Sequence, residues 1–166
     1  MMGRVKWIFM CAVLDGVLAM FPFGSLAADV VKIGAICPLS GGGAFYDEDA
    51  KGAIGLAMDT LGGKITVKGK SYEIGVVYYD DGGVPSEAVK GLRKLVTVDG
   101  VHVIVGPIGA SSANAVITIN EQEKVLILAN SGDTKTTRLG NKLIIRLQTV
   151  PSMVAGPYGQ YLLKCA

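Results

Sequence analysis

Short apolar runs alternate along this chain with segments in which apolar residues recur at helical spacing. The runs are rich in valine, isoleucine and leucine and end at glycine, proline or polar clusters, which is typical of β-strands. Strands are therefore predicted over residues 30–37, 65–67, 72–79, 102–106, 125–128 and 143–147.

Three helices are predicted between the strands. In the first, which starts at Ala50, apolar positions follow helical spacing until Gly62-Gly63 stops them. The second starts at Pro85, whose fixed φ suits the first turn of a helix, and the third covers residues 111–122. Strands that alternate with such helices predict an α/β fold, a doubly wound parallel sheet with helices on both faces.

Three loops rich in glycine and small polar residues follow predicted strands, at residues 40–46, 106–112 and 129–134. Because ligands of parallel sheets bind outside the carboxyl ends of the strands, these loops are expected to share one rim. Ser111 or Ser112 is predicted to cap the third helix, whose unpaired N–H groups could also hold a carboxylate. The alternative is an ordinary capped helix.

The other two loops supply further candidate ligand groups. Phe45 or Tyr46 could cover an apolar part of a ligand, or pack on the start of its own helix. Ser131 and Gly132 offer a hydroxyl and an N–H, while Asp133 could pair with an ammonium or cap the turn that follows. Together these groups suit a zwitterion better than a phosphate, which would require a nearby Lys or Arg.

Residues 1–27 have the pattern of a secretory signal peptide. Two basic residues precede an apolar stretch at 7–23, and small residues at Ser25 and Ala27 suit a signal peptidase. Asp15 interrupts the stretch, which leaves no continuous run of about 20 apolar residues for a membrane span. Export is therefore predicted in preference to a membrane anchor.

Charge and motifs argue against nucleic-acid binding and catalysis. The chain has 16 basic and 14 acidic residues, and the lysines are scattered. His102 is the only histidine, and the glycines at 41–43 complete neither a dinucleotide fingerprint nor a phosphate loop. Asp47, Asp49 and Gly52 match a calcium loop at too few positions to hold the ion. No catalytic residue, cofactor or metal ligand is predicted.

The two cysteines beyond the predicted signal peptide leave two alternatives open. Cys37 lies in an apolar strand, and Cys165 lies near the last residue. In an exported protein they could form a disulfide, or they could be a buried thiol and a tail thiol.

Several segments, taken in order, resemble the amino-terminal lobe of the leucine/isoleucine/valine-binding proteins. These are VKIGAICPLSGGGA (31–44), YDD (79–81), VGPIGASS (105–112) and VLILANS (125–131). Proteins of this family are periplasmic receptors of ABC importers with the type I periplasmic binding fold, whose two α/β lobes close over the ligand. The resemblance implies a Rossmann-like lobe in the periplasm, an amino-acid ligand, an ABC permease partner and a monomer.

The resemblance also implies roles for the candidate residues. Ser111 and Ser112 would bind the ligand carboxylate, and the loop Ser131-Gly132-Asp133 would contact the carboxylate and the ammonium. Phe45 or Tyr46 would be the aromatic lid of the lobe. Asp133 stands where a hydroxyl residue is common in the family, so either the ammonium contact is stronger here or the ligand differs.

Two departures from the family pattern stand out. Gly83 and Ala110 occupy the approximate positions of the cysteines of a family disulfide, which implies that the bridge is missing. Family members also continue into a second lobe, whereas residues 149–166 resemble only the crossover and first helix of that lobe, which is otherwise missing. The implied division is a signal peptide at 1–27, a ligand-binding lobe at 28–148 and the truncated start of the second lobe.

Four functional hypotheses follow. The first is the solute-binding lobe of an ABC importer for branched-chain or related amino acids. The second is a ligand-sensing regulatory module of the same fold, and the third is a truncated fragment without function. The fourth hypothesis, an enzyme of the doubly wound class, is the weakest, because the acid and base residues that it would need are missing.

Overall fold

The computed structural model describes residues 29–165, so the predicted signal peptide at 1–27 lies outside the described residues. The strands are β1 (Val30–Cys37), β2 (Lys64–Val67), β3 (Lys70–Asp80), β4 (Val103–Ile108), β5 (Leu126–Asn130) and β6 (Ile144–Arg146). The helices are α1 (Asp47–Leu61), α2 (Pro85–Thr97), α3 (Ala110–Val116), α4 (Lys135–Arg138) and α5 (Pro151–Cys165), with a 3₁₀ helix (Gly41–Tyr46) before α1. None of the helices in this part of the chain has the length and apolar content that crossing a membrane requires.

The strands form one sheet in the order β2-β3-β1-β4-β5-β6. All neighbours pair in parallel except β2 and β3, which are antiparallel and joined by the tight turn at Lys68-Gly69. The doubly wound α/β fold is confirmed. Strand order reverses between β1 and β4, and ligands of such sheets bind at the carboxyl ends of the strands beside this reversal.

The core lies on the sheet face that α2 and α3 cover. Ile36, Ile104 and Ile127 from neighbouring strands are fully buried against Leu92 and Leu95 of α2. Burial of each such side chain contributes about 1.5–3 kcal/mol. Helix α2 begins at Pro85, as predicted.

The opposite sheet face is covered less completely. Helix α1 begins at Asp47, three residues before the predicted start, and the apolar residues that predicted it are exposed or half-buried. A cavity of about 150 Å³ separates α1 from the sheet, lined by residues such as Ile54, Val105 and Leu128. Helix α5 has no buried residue.

Helix α3 is shorter than predicted. It ends at Val116, and irregular turns rather than helix follow to Lys124, where φ is positive. The buried Asn120 stabilises these turns, because its side-chain amide donates to the carbonyls of Val125 and Leu143. The predicted helix at 111–122 is therefore wrong in its second half.

The cysteine alternatives are also resolved. Among the described residues, Cys37 is buried and Cys165 is exposed, and no disulfide joins them.

Two glycines in helices should respond oppositely to alanine. A Cβ at Gly91 of α2 would overlap the ring of Tyr79, whereas nothing lies within 4 Å of a Cβ at Gly52 of α1. Alanine stabilises an unobstructed helix by about 0.5–1 kcal/mol over glycine, and overpacking costs about 1–3 kcal/mol. Gly91→Ala should therefore lower the free energy of unfolding and Gly52→Ala should raise it, as measured by urea denaturation. A stabilising Gly91→Ala would contradict this packing.

Candidate functional site

The carboxyl ends of β1, β4 and β5 bring the predicted loops to one rim. At the centre, Gly106 has a φ of 96°, and a Cβ there would overlap the carbonyl oxygen of Ile36 in β1. Only glycine allows this combination of positive φ and close approach. The strand therefore passes β1 closely just before its loop begins.

The loops after β4 and β5 are joined by hydrogen bonds. The N–H of Gly109 donates to the carbonyl of Asn130 at 2.9 Å, and Asn114 of α3 donates to the carboxylate of Asp133 at 2.7 Å. Residues at 106–112 and 129–134 thus form one continuous edge of the rim.

The prediction that Ser111 or Ser112 caps α3 is wrong. The helix begins at Ala110, its N-cap residue is Gly109, and no side chain caps it. The positive φ of Gly109 turns the chain directly into the helix, which places both serines inside the first turn. Ser111 is exposed at the rim, whereas Ser112 is only 2% exposed.

The loop after β5 differs from expectation in the role of its hydroxyl. Ser131 is completely buried, and its hydroxyl pairs with that of Thr136 at 2.8 Å while accepting the N–H of Asp133 at 3.2 Å. Gly132 is half-buried beside the side chain of Gln148. The Ser131 hydroxyl therefore supports the loop from inside.

Asp133 is half-buried, and both of its carboxylate oxygens are engaged. Oδ1 accepts the N–H of Lys135 at 2.9 Å, which forms the expected local turn, and Oδ2 accepts the amide of Asn114. The hydrogen bond from Lys135 and that from Asn114 hold the pKa of Asp133 below its ordinary value, with help from the positive charges of Lys135 and Arg146. The side chain is therefore an anion with lone pairs still available to a further donor.

The aromatic candidates lie at the first loop. Phe45 is the penultimate residue of the 3₁₀ helix and is 69% exposed. The side chain of Tyr46 lies outside the described residues, so its role as a lid stays a prediction.

Sequence reasoning missed Asn114, Thr136 and Asp80 as residues that shape the rim. Asn114 stands one helical turn after Ser111, which is a weak signal that the two share a helix face. Asp80 directly follows the apolar part of β3, a position at which a carboxylate can reach neighbouring loop N–H groups.

Asp80 connects the loop after β1 to the loop after β3. Its Oδ1 accepts the main-chain N–H groups of Leu39 at 2.9 Å, Ser40 at 3.2 Å and Gly82 at 2.8 Å. The hydroxyl of Ser40 and these N–H groups hold the pKa of Asp80 below its ordinary value. The carboxylate thereby orders the loop that leads to Phe45.

No group of three or more His, Cys, Asp or Glu side chains within residues 29–165 is arranged to hold a metal ion. The rim instead offers hydroxyls, main-chain N–H groups and one half-buried carboxylate. This set can hydrogen-bond a carboxylate and an ammonium.

Comparison with known proteins identifies the family to which the chain belongs. The profile of the periplasmic binding protein family matches residues 30–165. The leucine-, isoleucine-, valine-, threonine- and alanine-binding protein of Pseudomonas aeruginosa is 34% identical over 145 residues, which is 85% of this chain and 38% of that protein. The chain belongs to the periplasmic binding protein family.

Solved structures of ABC transporter solute-binding proteins have the same fold. One from Rhodopseudomonas palustris, in complex with 3,4-dihydroxybenzoic acid, matches 74% of this chain and 32% of its own with a TM-score of 0.66 and 29% identity. One from Desulfitobacterium hafniense, in complex with leucine, matches 83% of this chain and 40% of its own with a TM-score of 0.71 and 18% identity. This chain therefore spans well under half the length of these proteins.

The hydrogen bonds to the carboxylate of Asp80 predict a pH dependence of stability. Since the folded-state pKa of Asp80 lies below that of the unfolded chain, its charge stabilises the fold at neutral pH, and this contribution is lost as pH falls below about 4. Asp80→Asn should therefore lower the free energy of unfolding most at pH 7, with the difference from the unmodified chain shrinking below pH 4. Urea denaturation across pH measures this.

Asp59→Asn is the control for loss of charge alone, because Asp59 is exposed on α1. A difference at Asp80 that stays constant from pH 7 to the acid range would contradict the role given to its carboxylate.

Proposed function

We propose that this chain provides the ligand-binding lobe of a solute receptor for an ABC importer, and that its ligand is a branched-chain or related amino acid. The observation that carries the proposal is the joined edge formed by the β4 and β5 loops. It combines an exposed hydroxyl at Ser111 with an ionised carboxylate at Asp133. A zwitterion requires both kinds of partner.

Each end of the ligand has a partner on this edge. The Ser111 hydroxyl and nearby main-chain N–H groups donate to the ligand carboxylate, and the N–H of Gly132 adds a further donor. The carboxylate of Asp133 accepts from the ligand ammonium. Phe45 or Tyr46 covers the apolar side chain of the ligand. Ser112 and Ser131 are both buried, and the hydroxyl of Ser131 contributes by supporting this edge.

The carboxylate of Asp133 also favours amino acids over aromatic acids. The Rhodopseudomonas palustris protein was solved with 3,4-dihydroxybenzoic acid, which has a carboxylate but no ammonium. Such a ligand would leave Asp133 without a cationic partner and would place two negative charges on one edge. The Pseudomonas aeruginosa relative, by contrast, is named for five amino acids.

Membership of the family supports a role in transport. The receptor would act in the periplasm as a monomer and deliver its ligand to a membrane permease, consistent with the predicted signal peptide. A single lobe contacts a ligand from one side only, so binding by this chain alone should be weak compared with closure between two lobes.

The experiment is ligand-detected NMR with the purified chain and a panel of leucine, isoleucine, valine and 3,4-dihydroxybenzoic acid. Leucine, isoleucine or valine should bind more tightly than the aromatic acid. Ser111→Ala should weaken amino-acid binding about fivefold, the equivalent of one hydrogen bond of ~1 kcal/mol.

Ser71→Ala is the matched control, because Ser71 is exposed near the amino end of β3, at the far end of the sheet. The proposal is overturned if no amino acid binds, or if the Ser111 and Ser71 variants bind alike.

A further inference from the structure

A closed ring of hydrogen bonds lies behind the carboxylate of Asp133. The N–H of Asp133 donates to the Ser131 hydroxyl, which is 2.8 Å from the Thr136 hydroxyl. Thr136 donates to Oδ1 of Asn114 at 3.1 Å, and Nδ2 of Asn114 returns to Oδ2 of Asp133 at 2.7 Å. The ring connects α3, the β5 loop and α4.

The direction of every hydrogen bond in the ring follows from the count of protons. The single hydroxyl proton of Thr136 goes to Asn114, so Ser131 must donate to Thr136. The side-chain amide of Asn114 has one acceptable orientation, because a flip would set its oxygen against the carboxylate of Asp133. The four hydrogen bonds therefore run in one sense around the ring.

Burial makes the ring rigid on the side away from the rim. Ser131 and Thr136 are fully buried, while Asn114 and Asp133 are half-buried and reach towards solvent. Buried polar groups whose hydrogen bonds are all satisfied hold a defined geometry, because any displacement leaves a donor or acceptor without a partner. The carboxylate is the ring member at the protein surface.

We infer that Asn114 is a positioning residue for recognition of the ligand ammonium: it fixes the carboxylate of Asp133 on the rim without contacting the ligand itself. This inference rests on the proposed function. Asn114 also lies one helical turn after Ser111, so one short helix carries the group that contacts the ligand carboxylate and the group that orients the partner of the ammonium.

The charged groups around Asp133 are compatible with this role. Arg146 directs its guanidinium to the main-chain carbonyls of Asp133 and Gln148, and the main-chain N–H of Lys135 contacts Oδ1. Neither cationic side chain is seen in an ion pair with the carboxylate of Asp133. The carboxylate can therefore take an ammonium as its ionic partner.

The test compares two ligands that differ only in the ammonium group, leucine and 4-methylpentanoic acid. Asn114→Ala should weaken leucine binding about five- to tenfold, the range expected when a side chain that is no longer held must be ordered on binding, and leave binding of 4-methylpentanoic acid unchanged. Thr136→Val breaks the ring at its buried side with little change in side-chain shape. It should show the same selective loss of leucine affinity.

Asn141→Ala is the matched control. Asn141 is a half-buried asparagine whose side-chain amide donates to the carbonyl of Ile117 and to Oδ1 of Asn120. It precedes β6 and therefore lies at the end of the sheet opposite the rim. Its loss should lower stability and leave the ratio of the two affinities unchanged. Equal weakening of both ligands by Asn114→Ala would show a purely structural role and overturn the inference.

A carbon-13 NMR titration of the Asp133 carboxyl provides a readout that needs no ligand. Its pKa should lie below the ordinary aspartate value in the unmodified chain and rise in Asn114→Ala. An unchanged pKa would show that Asn114 does not hold the carboxylate of Asp133, and it would overturn the inference. If the unmodified chain bound neither ligand, the proposed function would fail and the ligand role of Asn114 with it, while this titration would still report on the ring.

Discussion

The close passage of β4 over β1 at Gly106 is the constraint on which the rest of the structure depends. Because the strand approaches the carbonyl of Ile36 at a positive φ, β4 can leave the sheet immediately beside the point where strand order reverses. The following residues then reach the β5 loop, where Gly109 bonds to Asn130, and α3 starts without a side-chain cap. Any larger residue at Gly106 would separate the two strands and move the rim.

Much of this architecture could be predicted from the order of apolar runs. Strands β1 and β3 and helix α2 lie close to where hydrophobic pattern and breaker residues placed them, because β1 and α2 bury apolar side chains in the core and β3 packs Val77 and Tyr79 against it. The failures have a physical origin too. Helical periodicity predicted α1 but not its exposure, since burial depends on what lies opposite, and α3 ends early because Asn120 stabilises turns through bonds to residues beyond it.

The candidate site could likewise be predicted from the sequence only in part. Loop positions could be read from the chain, since loops after parallel strands must share a rim, and Asp133 and Ser111 lie on it. Local sequence could not show that Ser131 faces inwards, or that Asn114 holds Asp133, because that hydrogen bond joins residues 19 positions apart. Asp80 was missed for the same reason, since its contact to Leu39 spans 41 positions.

We propose that the β4 and β5 loops, and not the apolar cavity under α1, bind the ligand. A titration of the nitrogen-15-labelled chain with leucine, followed by amide chemical shifts, tests this most directly. We expect shifts concentrated at Ser111, Asn114, Gly132 and Asp133. Shifts concentrated at the cavity residues Ile54, Val105 and Leu128, with the loop amides unmoved, would contradict it.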